Sequence, residues 1–230
     1  MHRRLLSLHA HPDDESSKAA ATVAKYASEG VRAVLVTATG GEAGEILNPA
    51  MDDPDIADNL TEVRRSELEA AARIIGYDEI VLLGYRDSGM PDSVDNHLPE
   101  AFCNQPHNEV MERLVHIVRS ERPHVLLGYD DHDFYPHPDH LYVHRHSIDV
   151  FDAAADPSAF TKAGDPWRVE KLYAPVFTVE RILTLHDALI ERTGESPYEG
   201  WIERIGDRTE PDRTITKIDV SGFIEQGRDA

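Results

Sequence analysis

Four short apolar runs, each separated from the next by a longer stretch of helical spacing, restrict this chain to very few folds. The runs are RLLSLH (4–9), VRAVLVTAT (31–39), EIVLLG (79–84) and HVLLGYD (124–130). Each is nearly continuous in apolar residues, as a strand buried on both faces requires. Between them lie SSKAAATVAKYASEG, closing on Gly30, DIADNLTEVRRSELEAAARIIG, closing on Gly76, and PHNEVMERLVHIVRSERP, stopped by Pro123. Glycine in a C-terminal cap and proline just beyond a helix are ordinary stop signals. The order βαβαβαβ predicts an α/β, Rossmann-like doubly wound fold with a mainly parallel sheet in the order 3-2-1-4. A fourth helix is expected over 139–155. A turn-rich stretch at 156–166 is followed by a strand within 170–179, a helix over 180–194 and a last strand near 213–220. Residues 1–155 thus read as the core and 156–230 as a less regular C-terminal portion that completes a pocket.

Composition narrows the partners. Lys and Arg number 23 against 43 Asp and Glu, a formal charge of -20. That charge repels phosphate backbones and anionic lipid surfaces, so neither nucleic acid nor membrane is an expected partner. One cysteine, Cys103, forms no internal disulfide and no thiolate metal site. No run of apolar residues approaches a signal-peptide core or a membrane span, and the expected location is the cytoplasm. Two loops, 40–55 and 85–105, are long for connections in a compact domain, which favours a functional lining. The composition leaves the oligomeric state open.

Chemistry concentrates at two points. The first strand runs directly into HAHPDDESSK, and the fourth into GYDDHDFYPHPDH. In doubly wound sheets ligands bind at the carboxyl ends of strands, where strand order reverses. Two His/Asp-rich loops then face each other across one crevice, a donor set suited to a divalent ion, with zinc the default for a hydrolytic site. HPDD lets His11 and Asp14 bend around one ion, with His140 as the best third ligand. A set using His144, four residues on from His140, is the rival. For Asp13 and Asp14 the competing reading is capping of the helix that follows, and for His137 it is metal ligation.

The paired motifs AHPDDE (10–15) and HPDH (137–140) resemble those of the LmbE/PIG-L family of zinc-dependent N-deacetylases. The stretches TGGEAGEILNPAMD, VRRSELEAAARIIG, DSGMP, ERPHV and YPHPDH bring the resemblance closest to its mycothiol S-conjugate amidase branch. The resemblance implies metal ligands His11, Asp14 and His140, holding Zn2+ or, with the same donors, Fe2+. It implies Asp13 as general base, His137 as a charged imidazolium stabilising the tetrahedral intermediate, Asp139 as its orienting carboxylate, and Tyr135 at the substrate carbonyl. Lys18, Glu45, Arg64 and Asp87 are implied around the sugar, with Lys18 separating this branch from those acting on the smaller glucosaminyl inositol precursor. The implied activity is hydrolysis of the amide of a mycothiol S-conjugate to a mercapturate and glucosaminyl inositol. Its alternatives are deacetylation of N-acetylglucosaminyl inositol or another N-acetyl sugar, and a noncatalytic metal or sugar binder. A metallophosphoesterase would call for more basic residues at the crevice. The resembling proteins continue past the point where this sequence stops, so either the sequence is cut short or its C-terminal covering is naturally short, and both bear on the acceptor side of the pocket. The stretch 131–134, which carries His132, replaces a glycine-bearing loop of that branch.

Overall fold

The computed structural model describes residues 3–46, 48–51, 53–131, 135–206 and 215–230. Five strands, β1 (Arg4–His9), β2 (Arg32–Thr39), β3 (Glu79–Tyr85), β4 (Val125–Leu127) and β5 (Lys171–Tyr173), form one sheet in the order β3-β2-β1-β4-β5. Every pairing is parallel, with Leu5 between Ala33 and Val125. The helices, in chain order, are α1 (Asp14–Ser17), α2 (Ala20–Ser28), α3 (Pro54–Asp58), α4 (Leu60–Ile75), α5 (His107–Glu121), α6 (Pro138–Ala153), α7 (Val179–Thr193), α8 (Glu199–Ile205) and α9 (Ile224–Asp229).

The pleat divides the apolar residues of each strand between two faces. Leu6, Leu8, Val34, Val36 and Leu126 pack with Val110, Leu114, Val115 and Val118 of α5 and with Val143 and Val150 of α6. Leu5, Ala33 and Leu127 pack with Val23 and Ala24 of α2 and Ile75 of α4, while Leu35 meets Leu68 and Ala72 of α4. The chain changes face after β3 and returns beside β1, so the crossover directions diverge between β1 and β4. A crevice opens at their carboxyl ends, where the two His/Asp-rich loops begin.

Three expectations are corrected. The helix expected over 16–30 is two helices: Lys18 is extended (φ -122, ψ 101) and Ala19 is left-handed (φ 69). The break folds the Lys18 side chain back onto Asp14, 2.5 Å away. The helix over 55–76 is likewise interrupted at Asn59, whose side-chain amide donates to Asp55 O. The last strand is absent over 215–220, the described part of its expected range. The chain passes instead through a turn at Ser221–Phe223 into α9, which lies on α2 and α4 with Gln226 donating to Ile74 O. No described helix is long and apolar enough to cross a membrane.

Candidate active site

The site begins where β1 ends. Asp13 has φ 106, and no side-chain capping bond to α1 forms there. The backbone N–H of Asp13 is met by Glu15 Oε2 at 3.0 Å. The capping reading weighed for Asp13 is therefore not what the structure shows. Asp14 Oδ2 accepts from His11 N at 3.0 Å, which curls the HPDD turn on itself. From the opposite loop, Pro138 occupies the first turn of α6, and His137 caps that helix by accepting the Asp139 N–H on Nδ1 at 3.2 Å. His140 then follows on the same turn as His137, with ring centroids 5.2 Å apart.

These two loops converge on one point. His11 Nδ1 lies 3.6 Å and His140 Nε2 3.5 Å from Asp14 Oδ2. The ligand atoms of the three residues lie within 4.8 Å of one another, and all three residues are buried. A tetrahedral ion with bonds of about 2.1 Å has ligand edges of about 3.4 Å, so this donor set fits a metal with little rearrangement. The second nitrogen of His11 completes the fit. Its Nε2 lies 3.1 Å from Asp139 Oδ2, the carboxylate contact that metal-binding imidazoles ordinarily make on their far side. Asp139 is in turn held by Ser88, through its N–H at 3.0 Å and through its hydroxyl. His11, His137 and Asp139 form a second group of possible metal ligands. In that group the carboxylate is already committed to Ser88 and His11. His144 turns away, with Nδ1 2.7 Å from Tyr129 O.

The electrostatics follow from this packing. Burial works against a charge on His11, yet its hydrogen bonds to the carboxylates of Asp139, Asp14 and Asp87 outweigh it and hold its pKa well above the ordinary value. Burial likewise opposes ionisation of Asp14, and His11, His140 and Lys18 override it, keeping the carboxyl well below its usual range. Burial first, then the charge of His11, lowers His137 to about 4, against the pull of Asp139. Burial and a charge on His11 thus both work against the imidazolium expected at His137. Its Nδ1 accepts the Asp139 N–H, so the neutral ring carries its proton on Nε2 and remains a donor there. Desolvation and Asp14 raise the pKa of Asp13, and Arg64 lowers it.

The site opens into a cavity of about 1210 Å³ lined by His11, Asp13, Asp14, Lys18, Glu45, Arg64, Asp87, Tyr135, His137 and His140. Apolar side chains from Met51, Ile56, Leu60 and Val63 on one side and Val176, Phe177 and Trp201 from the C-terminal portion also line it.

A family model described as GlcNAc-PI de-N-acetylase (PIG-L) matches residues 6–151, which include both loops. The chain belongs to the PIG-L family. It is 43% identical over 229 residues to the mycothiol S-conjugate amidase of Streptomyces coelicolor, covering 96% of this chain and 78% of that protein. It is 39% identical over 236 residues to the 1D-myo-inositol 2-acetamido-2-deoxy-alpha-D-glucopyranoside deacetylase of Thermobifida fusca, covering 99% and 81%. Among solved structures, the N,N'-diacetylchitobiose deacetylase of Pyrococcus horikoshii shares the fold, with a TM-score of 0.61 at 22% identity over 87% of this chain and 74% of that one.

Within this PIG-L site the structure rearranges several expected partnerships. The Asp139 carboxylate faces His11 and Ser88, and what it offers His137 is its backbone N–H. Asp87 is buried, with Oδ1 3.5 Å from His11 Nε2 and 4.0 Å from His137 Nε2. Burial alone would raise its pKa, but His11 and the Gly89 N–H hold it far below the usual range. Arg64 Nη2 meets Asp13 Oδ2 at 2.6 Å. Lys18 lies 5.2 Å from the Tyr129 ring centroid as well as against Asp14. Glu45 stands exposed on the cavity wall. The Tyr135 ring sits 5.2 Å from His140 and 6.1 Å from His137, and its hydroxyl donates to Met90 Sδ. His132 lies outside the described residues.

Two residues that sequence reasoning passed over are central. Tyr129 donates its hydroxyl to Asp14 Oδ2, and the Tyr129 hydroxyl oxygen accepts from Ala10 N at 3.0 Å and lies 3.2 Å from His9 Nδ1. Ser88 fixes Asp139. Tyr129 stands at the end of the fourth apolar run, where a tyrosine reads as packing. Ser88 sits in DSGMP, noted above only as part of the resemblance.

Proposed function

We propose that this protein is a metal-dependent amidase that cleaves the amide of a mycothiol S-conjugate into a mercapturate and glucosaminyl inositol. The observation that carries this reading is the convergence of His11, Asp14 and His140 beside a carboxylate, Asp13, that is not one of them. Two imidazoles and a carboxylate suit zinc with an open position, and iron(II) accepts the same donors. When bound, the ion acidifies a water and polarises the amide carbonyl. Asp13 accepts the proton of the attacking water. His137 donates from Nε2 to the oxygen that gains charge, and Tyr135 stands beside it. Asp139 holds His11 in the orientation that presents Nδ1. Asp87 also steadies the imidazole pair, and Lys18, Glu45 and Arg64 line the cavity as further contacts offered to the substrate. The departing amine takes up the proton that Asp13 received.

The 43% identity to an S-conjugate amidase supports this substrate, and the size and apolar lining of the cavity support a conjugate bulkier than an N-acetyl sugar. The 39% identity to the Thermobifida fusca deacetylase favours a second reading, removal of acetyl from N-acetylglucosaminyl inositol. Assay of both compounds with wild type, Asp13→Asn and Lys18→Ser separates them. The expected result is preference for the conjugate, a loss of about 10²- to 10⁴-fold in Asp13→Asn with metal content retained, and a shift toward the small sugar in Lys18→Ser. Preference for the small sugar in wild type and Lys18→Ser alike selects the deacetylase. Bound metal with no hydrolysis of either compound selects a noncatalytic binder.

A further inference from the structure

We infer that Met90 is a modification site: its thioether sets the position of the Tyr135 hydroxyl, and oxygen transfer from a hydroperoxide to Met90 Sδ draws that hydroxyl away from the amide and slows hydrolysis. The inference rests on the reading of Tyr135 as a group at the substrate carbonyl. Both side chains line the cavity, and the Tyr135 hydroxyl donates to Met90 Sδ at 3.5 Å. A thioether is a weak acceptor, so it places the hydroxyl without holding it fast. The Tyr135 and His137 rings have their centroids 6.1 Å apart, which keeps the hydroxyl's owner beside the group it assists.

Among the described methionines, Met90 is the one a solute reaches most readily. It is 50% exposed, whereas Met111 is buried and Met51 is partly covered. Sδ attacks the terminal oxygen of the peroxide, the O–O bond breaks, and sulfur gives up two electrons as it becomes a sulfoxide. The proton on the transferred oxygen passes to the departing alkoxide, which leaves as an alcohol, or as water when the oxidant is hydrogen peroxide. The product is a polar side chain whose oxygen accepts a hydrogen bond better than the sulfur did.

The backbone beneath Met90 is fixed. Met90 O accepts from Ser93 N and from Asn96 Nδ2, each at 3.1 Å, and Asn96 Nδ2 also donates to Ser88 O and Gly89 O. Gly89 has φ 68, and its N–H donates to Asp87 Oδ1 at 2.8 Å. Through Ser88 the same loop grips Asp139. A change at Sδ therefore falls on the partner of the thioether, Tyr135, rather than on the loop. The sulfoxide oxygen keeps the tyrosine hydroxyl at Met90, where it no longer serves the oxygen of the amide.

The test treats wild type, Cys103→Ser, Met90→Leu and Tyr135→Phe with hydrogen peroxide, each loaded with zinc, which has no redox chemistry of its own. Peptide mass spectrometry reads sulfoxide at position 90, and each protein's kinetics on the preferred amide are compared with its own untreated rate. In wild type, kcat is expected to fall by up to about 100-fold in step with the sulfoxide, the size of one lost donor at a developing oxyanion. KM changes little, and methionine sulfoxide reductase restores the rate. Cys103→Ser shows the same loss, which takes the thiol out of account. Met90→Leu keeps its rate through the same exposure, and Tyr135→Phe takes up the oxygen and keeps its rate too. Met90 left unoxidised, Met90 oxidised with kcat unchanged, or an equal loss in Met90→Leu overturns the inference. A crystal structure of the oxidised protein decides without turnover: the Tyr135 hydroxyl on the sulfoxide oxygen supports the inference, and a hydroxyl placed elsewhere overturns it. If untreated wild type hydrolyses no amide, the proposed function fails, and the crystal structure still judges whether Met90 sets Tyr135.

Discussion

Single side chains in this protein earn their place through what stands behind them. His11 offers Nδ1 to the centre because Asp139 takes Nε2, and Asp139 is aimed because Ser88 binds both of its oxygens, with the Cys103 N–H donating to the Ser88 hydroxyl at 2.9 Å. Removing that hydroxyl leaves the first contact intact and loosens the second. Ser88→Ala is expected to weaken metal binding by about 10- to 100-fold, read by competition with a chelator, with the fold unchanged in circular dichroism. The three residues that converge, His11, Asp14 and His140, were legible in the sequence because histidine and aspartate crowd together at the ends of two apolar runs. Their supports were not. Ser88 and Tyr129 are chemically unremarkable where they stand, and only the approach of β1, β4 and the 85–105 loop makes them part of a chain of hydrogen bonds. Arg64 and Asp87 are picked out by motif, but their contacts with Asp13 and His11 are not, since a motif carries residue identity and not the direction a side chain takes.

At the level of elements, periodicity located β1 to the residue and α5, α6 and α7 to within two, because each buries a stripe that leaves an apolar pattern. It failed where polar contacts decide. The break at Lys18 and Ala19 interrupts a run of good helix formers, and it leaves Lys18 against Asp14 and the Tyr129 ring. The stretch from Ala153 to Gly164 is held the same way, by a single buried cation. Arg119 of α5, 3% exposed, donates from Nε to Ala154 O, from Nη1 to Phe160 O and Gly164 O, and from Nη2 to Ala153 O, Asp156 O and Ala159 O. It closes the end of α6, where unpaired carbonyls and the helix dipole both favour a positive charge. Lysine cannot reach this set of acceptors with three donors. Arg119→Lys is expected to cost about 3 kcal/mol in urea unfolding, and the amides of 154–164 are expected to lose hydrogen-exchange protection ahead of the sheet. Equal protection in variant and wild type would show that the segment holds itself.

For the whole molecule the relevant quantity is how protons are shared between folded and unfolded chains. Between about pH 7 and 5 most of the 43 carboxylates stay ionised, so the titrating groups are chiefly the 13 histidines and any carboxyl that burial has raised. Two buried groups act with opposite sign. Burial lowers the pKa of His146, whose ring packs against His107 and Tyr142, below the value of 6.5 that it regains on unfolding. Below pH 6.5 the unfolded chain therefore binds a proton that the folded one refuses, and stability falls as pH falls. Burial raises Glu15 to about 7, so between 7 and 4.5 the folded chain holds the extra proton, and stability rises as pH falls. The two slopes oppose one another, and the lowered His9, His137 and His140 add to the first. A variant isolates them: asparagine at 146 keeps a donor toward Tyr142 O, which His146 Nδ1 meets at 2.8 Å, and removes the titration. His146→Asn is expected to be less stable than wild type at pH 7.5 through lost packing. As pH drops from 6.5 toward 5, the deficit is expected to narrow by up to about 1.4 kcal/mol per pH unit. Urea unfolding across that range measures the difference directly, and a deficit that stays constant would mean that His146 is protonated equally in both states.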